Sequence, residues 1–280
     1  MDNSRRKFLK IAGLSAIAGI GAPSAFSGLL KGEALASAPA PDENVLKGEV
    51  GKRYGIVIDV RKFAEDKALA QRCIDVCHSI HNVPDYGLNK DGSKNRKDEI
   101  KWLWTDGFEN VFPDHSHYKK NADLHEMPIL ALCNHCDNPP CVRACPTKAT
   151  FKNPDGIVLM DFHRCIGCRF CMAACPYGAR SFNWRSPREL NPDGSYKHIK
   201  NFNAEFPTRM RGVVEKCNLC AERLAIGKIP ACVEEARGAN AMVFGDLNNP
   251  NSRISRVLNS KFTIQRKPAL GTNPSIFYII

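Results

Sequence analysis

The spacing of thirteen cysteines in 280 residues constrains this chain more than any other feature. Eleven fall into three ordered groups: Cys133, Cys136, Cys141 and Cys145, followed by Pro146; Cys165, Cys168, Cys171 and Cys175, followed by Pro176; and Cys217, Cys220 and Cys232. Only Cys73 and Cys77 lie upstream. The second group reads C-x2-C-x2-C-x3-C-P, the spacing of bacterial two-cluster ferredoxins, and the first differs by a longer gap before its third cysteine. Three thiolates on one irregular loop can each reach a different iron of one cubane [4Fe-4S] cluster. The fourth starts a helix, points away and serves the neighbouring cluster. Such a chain must turn tightly around inorganic cubes that occupy part of its interior.

Other uses of cysteine fit less well. C-x2-C pairs also build zinc sites, but zinc leaves the third and fourth cysteines and the prolines unexplained; it stays open mainly for Cys217, Cys220 and Cys232 alone. An odd cysteine count and tight C-x2-C loops speak against a disulfide framework. Cys73, Cys77 and His78 read C-x3-C-H, one residue longer than a haem attachment motif. The net charge of +11 raises the question of nucleic acid, yet no RNA-binding signature or basic helix is visible. Three cubes, each about −2 with its four thiolates, would offset much of that charge. Arg143, Arg164, Arg169, Lys216 and Arg223 lie among the ligands, where a positive field favours the reduced cluster. His135, His163 and His78 are either proton carriers or polar neighbours that tune the clusters, with the second role favoured.

At the N-terminus, Ser4-Arg5-Arg6-Lys7-Phe8-Leu9-Lys10 resembles a twin-arginine export signal, followed by a mildly apolar run and small residues. Cleavage after Ala36 gives a signal peptide over residues 1–36, a linker over 37–52 and a protein on the periplasmic face of the cytoplasmic membrane; an uncleaved anchor is the alternative. Asn-Pro-Asp-Gly occurs at Asn153–Gly156 and again at Asn191–Gly194, and each copy reads as a tight reversal. The first joins Ala149-Thr150-Phe151 to Ile157-Val158-Leu159-Met160 as a hairpin. Val57-Ile58-Asp59-Val60-Arg61-Lys62-Phe63 resembles Leu159-Met160-Asp161-Phe162-His163-Arg164-Cys165, a weak repeat that sets Phe63 where the second copy has a ligand. The resulting fold class is α+β, with two ferredoxin-like [4Fe-4S] modules, one inserted in the other, and loop-rich excursions. The outer module comprises 53–83 with 210–245, and the inner two-cluster module 132–184. An insertion over 84–131, a connection over 185–209 and a C-terminal docking tail over 246–280 complete the chain. The insertion reads as a surface excursion with a small core of its own, or else as a docking face. The apolar tail end, Ile276 to Ile280, either packs as a final strand or docks into another subunit.

The chain resembles the four-motif iron-sulfur subunits of polysulfide, dimethyl-sulfoxide and nitrite reductase type membrane complexes. The resemblance covers nearly everything after Gly51. It is carried by Cys133-Asn-His-Cys-Asp-Asn-Pro-Pro-Cys141, Cys165-Ile-Gly-Cys168, Cys175-Pro-Tyr-Gly178, Cys217-Asn-Leu-Cys220 with Gly227-Lys-Ile-Pro-Ala-Cys232, and Leu270-Gly-Thr-Asn-Pro274. It implies cross-ligation: Cys133, Cys136 and Cys141 with Cys175; Cys165, Cys168 and Cys171 with Cys145; Cys217, Cys220 and Cys232 with Cys77. Members usually hold four clusters, but here the first motif has Lys67 and Ala70, or Phe63, in place of cysteines, and Ala236 stands at the last. Three [4Fe-4S] clusters are then expected, with Cys73 left as an inert core residue in a helix marked by Leu69, Cys73, Val76, Cys77 and Ile80.

Within the family, a three-cluster exported chain is most similar to periplasmic subunits of the Dsr complexes, which link menaquinone to sulfite reduction. That likeness implies an integral membrane quinone-interacting subunit, a multihaem cytochrome c, and membrane and cytoplasmic heterodisulfide-reductase-like subunits as partners. The implied role is electron transfer without substrate chemistry. The alternatives are the beta subunit of a molybdopterin or polysulfide reductase and, from another class, a catalytic iron-sulfur enzyme.

Overall fold

The run Gly55-Ile-Val-Ile58 is buried without alternation, as a strand covered on both faces requires. It forms β1 (Tyr54–Asp59), the centre of a three-stranded sheet in a computed structural model that describes residues 52–93, 95–115 and 128–280. The expected signal segment and cleavage site lie outside the described residues. β1 pairs antiparallel with β8 (Met242–Asp246), Ile56 opposite Phe244, and parallel with β9 (Ile276–Ile279), Ile56 opposite Ile276. Of the two roles open to the apolar tail end, the structure shows the strand. Ile276 and Tyr278 are fully buried, and the Tyr278 hydroxyl donates to the Leu130 carbonyl at 3.2 Å. Helix α8 (Arg253–Ser260), capped by Ser252 accepting from the Ser255 N–H, packs against β8.

After β1 come α1 (Val60–Glu65) and α2 (Lys67–Ile80). Asp66 caps α2 by accepting from the Ala68 and Leu69 N–H groups at 3.0 and 3.2 Å. The helical spacing of Leu69, Cys73 and Cys77 becomes its buried face. That face meets α7 (Ala231–Glu235), and the Cys73 thiol approaches the Cys232 carbonyl at 3.4 Å. Phe63, Ala70, Cys73 and Ala236 all lie in the main core, each at most 3 % exposed. Packed side chains and a continuous helix surround these four positions.

The excursion after Val83 differs from the expectation of a surface loop with its own small core. β2 (Leu103–Gly107) pairs antiparallel with β3 (Pro128–Leu132), and α3 (Phe108–Val111) follows β2. Ile100, Trp102, Leu103, Trp104, Phe108, Val111 and Phe112 all join the main core. Trp102 explains why. Its ring stacks on His81 with centroids 4.6 Å apart, and its Nε1 donates to the buried Glu215 at 2.7 Å. A large aromatic supplies more buried area than any other side chain, so a polar segment carrying two tryptophans can be drawn inward.

The cysteine-bearing segments have little regular structure. The hairpin expected at Asn153–Gly156 is present, β4 (Thr150–Lys152) pairing with β5 (Val158–Met160). The cysteine loops end in helices of one turn or so: α4 (Pro140–Arg143), α5 (Phe170–Ala174) and α6 (Ala221–Ala225). β6 (Ser181–Phe182) and β7 (Val214–Glu215) close the set. Among the described residues, no helix is long and apolar enough to cross a membrane.

Candidate metal centre

Every loop that carries a C-x2-C pair passes through a left-handed residue: His135 at φ 40°, Gly167 and Arg169 at 70° and 64°, and Leu219 and Cys220 at 57° and 51°. Non-glycine residues reach this region at a cost of about 1–2 kcal/mol each, so the curl is imposed by the surroundings. Backbone N–H groups within and around these loops point at sulfur. The Leu219 N–H points at Cys217 Sγ (3.4 Å), and those of Ala231, Val214 and Thr150 at Cys220, Cys165 and Cys145 Sγ (3.5 Å each). Donors aimed at a thiolate stabilise its charged form.

The structure gathers twelve cysteines into three sets. Cys133, Cys136 and Cys141 line one cavity with Cys175, beside Val158, Tyr177 and Arg180. Cys165, Cys168 and Cys171 line another with Cys145, beside Met160 and Val214. Cys77 is buried beside Cys217, Cys220 and Cys232, whose charges add to the desolvation that raises its pKa. In each case three cysteines come from one segment and the fourth from another. None of the thirteen cysteines forms a disulfide. Cys73 lines neither of those cavities; its thiol lies against the third set, 3.4 Å from the Cys232 carbonyl, and desolvation pushes its pKa up to about 12.

The sets are adjacent in a definite order. Burial pushes Cys217 up to about 12, and the first neighbouring charge on it is Cys133; Cys171, also raised by burial, has Cys141 among its neighbours. The Cys133 set is therefore central, between the Cys77/Cys217 set and the Cys165 set. Exposure grades along the row. Cys77, Cys217, Cys220 and Cys232 are buried, whereas Cys145, Cys165 and Cys168 are partly exposed, with Ile166 and Phe170 projecting at 68 % and 61 % exposure. Arg169 in that outer loop stacks on Trp184 at 4.8 Å and Phe182 at 5.4 Å. At Cys145, burial opposes ionisation, but N–H groups of Thr147, Ala149 and Thr150 and the Thr147 hydroxyl outweigh it and hold the thiol below its ordinary value.

Four thiols converging from two segments, with N–H donors on sulfur, suit a fully thiolate-ligated iron-sulfur cube. The three histidines occupy different surroundings. The Val158 N–H donates to His135 Nδ1 at 3.2 Å, which places the ring hydrogen on Nε2; burial, then Lys216 and Arg180, hold this imidazole neutral. Desolvation lowers His78 to about 4. His163 is exposed in the turn beside Asp161. Of the basic residues flagged by the sequence, Arg143, Arg164 and Arg169 are exposed, Arg223 pairs with Glu234, and only Lys216 is buried. Sequence reasoning missed Arg180, which is 5 % exposed in the wall of the central cavity. Its signal was faint: a charged residue four positions after Pro176, between Ala179 and Ser181.

Residues 127–201 match the model of a 4Fe-4S dicluster domain. The chain is 36 % identical to the Hdr-like menaquinol oxidoreductase iron-sulfur subunit 1 of Archaeoglobus fulgidus, over 98 % of this chain and 97 % of that protein. It is 34 % identical to the iron-sulfur cluster-binding subunit of menaquinone reductase from Nitratidesulfovibrio vulgaris, over 81 % of this chain and 88 % of that one. A polysulfide reductase subunit of Wolinella succinogenes is 33 % identical, over 82 % of this chain and 95 % of that protein.

Proposed function

This protein belongs to the family of iron-sulfur electron-transfer subunits of membrane oxidoreductase complexes, and from that membership we propose that it relays single electrons through three [4Fe-4S] clusters between a quinone-linked membrane partner and sulfur metabolism. The observation that carries the count of three is the gathering of twelve cysteines into three four-thiol sets in a row. When bound, the clusters supply one-electron couples. The protein closes each set with a fourth cysteine, so no coordination position is left for substrate.

The same sets support a two-module organisation with the inner module inserted in the outer: two are built within residues 133–175, and the third joins Cys77 to Cys217, Cys220 and Cys232. The partly exposed Cys165 loop, fringed by Ile166 and Phe170, is the end of the row that meets a partner. The buried set at the other end lies between α2, with Ala70 in the core, and α7, with Ala236 in the core just past its end. We assign the protein to the Dsr type of complex, exported by the twin-arginine route to the periplasmic face, with an integral quinone-interacting subunit, a multihaem cytochrome c and heterodisulfide-reductase-like subunits as partners. The likeness to menaquinol and menaquinone oxidoreductase subunits supports this reading. Gentle anaerobic purification from native membranes, with identification of co-purifying proteins, tests it. Cytochrome c and a quinone-interacting subunit are expected, and a molybdopterin subunit without cytochrome c would overturn the Dsr assignment.

Cys73→Ser is expected to leave about twelve irons per chain and all three paramagnetic signals in place. The residue sits among packed side chains, and its contact is the Cys232 carbonyl, which a serine hydroxyl can also reach. Stability should fall by about 1 kcal/mol, as for a modest core substitution. Loss of four irons would make Cys73 a ligand.

A further inference from the structure

Four basic side chains are buried among the described residues: Arg180, Arg209, Lys216 and Arg266. A buried cation is costly unless it meets a counter-charge. Arg209 meets one, since its Nη2 lies 2.5 Å from Glu215 Oε2 and both side chains are inaccessible. Arg180 and Lys216 face no carboxylate among the described residues. Arg180 Nη1 donates to Thr150 Oγ1 at 3.2 Å and approaches Met160 Sδ at 3.7 Å, while Nη2 is buried with no hydrogen-bond partner. Lys216 Nζ donates to the carbonyls of Val158 and Cys217. Arg266 also lacks a carboxylate but lies a layer farther out, over the Tyr177 ring that lines the Cys136 cavity.

The positions of Arg180 and Lys216 are specific. Arg180 lines the cavity of Cys133, Cys136, Cys141 and Cys175. Its partner Met160 lines the cavity of Cys145, Cys165, Cys168 and Cys171, and the N–H of its partner Thr150 donates to Cys145. It therefore stands at the junction of the central and outer sets. Lys216 is bonded on one side to Val158, in the wall of the central cavity, and on the other to Cys217 of the inner set. Each junction of the row thus holds one buried cation whose only available counter-charge is the thiolate-ligated site on either side.

We propose that Arg180 and Lys216 are positioning charges for electron transfer, each shared by the two sites it separates and holding both more readily reduced. Reduction adds negative charge, and a fixed cation in a low-dielectric interior favours that addition and weakens repulsion between electrons on neighbouring sites. The central Cys133 set has Arg180 in its wall and Lys216 bonded to the back of that wall at Val158, and gains from both. The effect is pairwise selective: Arg180 acts on the central and outer sites, Lys216 on the central and inner ones.

The test is potentiometric titration of the anaerobically purified native complex followed by electron paramagnetic resonance, with the outer signal identified by its loss in Cys145→Ser. Arg180→Gln is expected to weaken reduction of the central and outer sites by about tenfold each, which is ~59 mV for a one-electron couple, and to leave the inner site within about twofold, or ~18 mV on the same scale. Lys216→Gln should move the central and inner sites and spare the outer. Arg180→Lys and Lys216→Arg, which keep the charge, should hold all potentials near the parent values. Equal shifts at all three sites, no shift at full iron content, or a lysine variant displaced as far as the glutamine one would overturn the proposal. Should Arg180→Gln lose iron, Arg180→Lys decides: parent potentials uphold the role and displaced ones overturn it. The inference rests on the three-cluster assignment. Fewer than three signals in the parent protein would sink that assignment, whereas three signals with unmoved potentials would sink only the role of the cations.

Discussion

Cys145→Ser is expected to remove four of about twelve irons per chain, and the cluster lost is the one whose other ligands lie downstream at Cys165, Cys168 and Cys171. Electron throughput should fall to background, because the lost site is the end of the row that reaches the surface. Sequence proximity argues the opposite, since Cys145 is the last member of the group that begins at Cys133. The cavity lining supports the crossing. α4 ends at Arg143, the backbone leaves the loop at Ala144, and the Cys145 sulfur lies in the cavity of the later group with the Thr150 N–H on it at 3.5 Å. The reciprocal variant, Cys175→Ser, should cost the Cys133 site instead, because Cys175 lines that cavity. Iron and sulfide analysis with low-temperature paramagnetic resonance reads both variants. Loss of the Cys133 signal in Cys145→Ser would mean that each group of four ligates its own cube and that the two cavities are not the ligand sets.

A serine hydroxyl keeps the shape of the thiol but not its readiness to ionise. The Cys145 thiol is held below its ordinary value because N–H and hydroxyl donors outweigh its burial, so the local backbone is arranged for an anion. An uncharged hydroxyl leaves those donors facing a weaker acceptor. At the deeper sets burial wins over the donors. Cys136 and Cys217 are pushed up to about 12 by burial, and metal ligation must release their protons, so assembly is favoured as pH rises.

The cysteine loops were legible because cluster ligation fixes residue type and spacing together, and no packing preference competes with it. The α2 helix was legible for a related reason: Leu69, Cys73 and Cys77 keep a helical period on one buried face. The placement of the excursion was not. Its charged residues are spread along the sequence, and only the contact of Trp102 with His81 and Glu215, from two distant segments, draws it into the core. β9 was ambiguous because five apolar residues at a chain end fit a sheet edge and a docking peptide equally well; its parallel partner lies more than two hundred residues upstream. Lys216 was noticed from its place beside Cys217, but Arg180 carries no such marker, and its role depends on which residues are missing around it. A sequence shows charges; it does not show that a charge is unpaired.

Gly167→Ala should be among the most damaging single substitutions in the protein. Gly167 lies between Cys165 and Cys168 at φ +70°, and a β-carbon there would stand 2.3 Å from the Gly212 carbonyl oxygen and 3.2 Å from the Phe182 ring. The oxygen belongs to backbone, not to the flexible end of a side chain. Gly212 is itself fastened, its N–H donating to the Asn183 carbonyl at 2.9 Å. One of the two segments must move, and either movement displaces a sulfur: Cys165 Sγ receives the Val214 N–H two residues beyond Gly212. Left-handed strain of about 1–2 kcal/mol and overpacking of about 1–3 kcal/mol add to a loss of about 2–5 kcal/mol. The outer site is expected to lose its iron first. Gly178→Ala provides the control, since Gly178 has a similar φ of +62° but open space around its α-carbon, so only the conformational cost of about 1–2 kcal/mol applies. Thermal unfolding of the two variants, with iron analysis, should separate them by several degrees and by a whole cluster. Equal behaviour would show that backbone conformation alone, and not the close approach to Gly212, demands glycine between these cysteines.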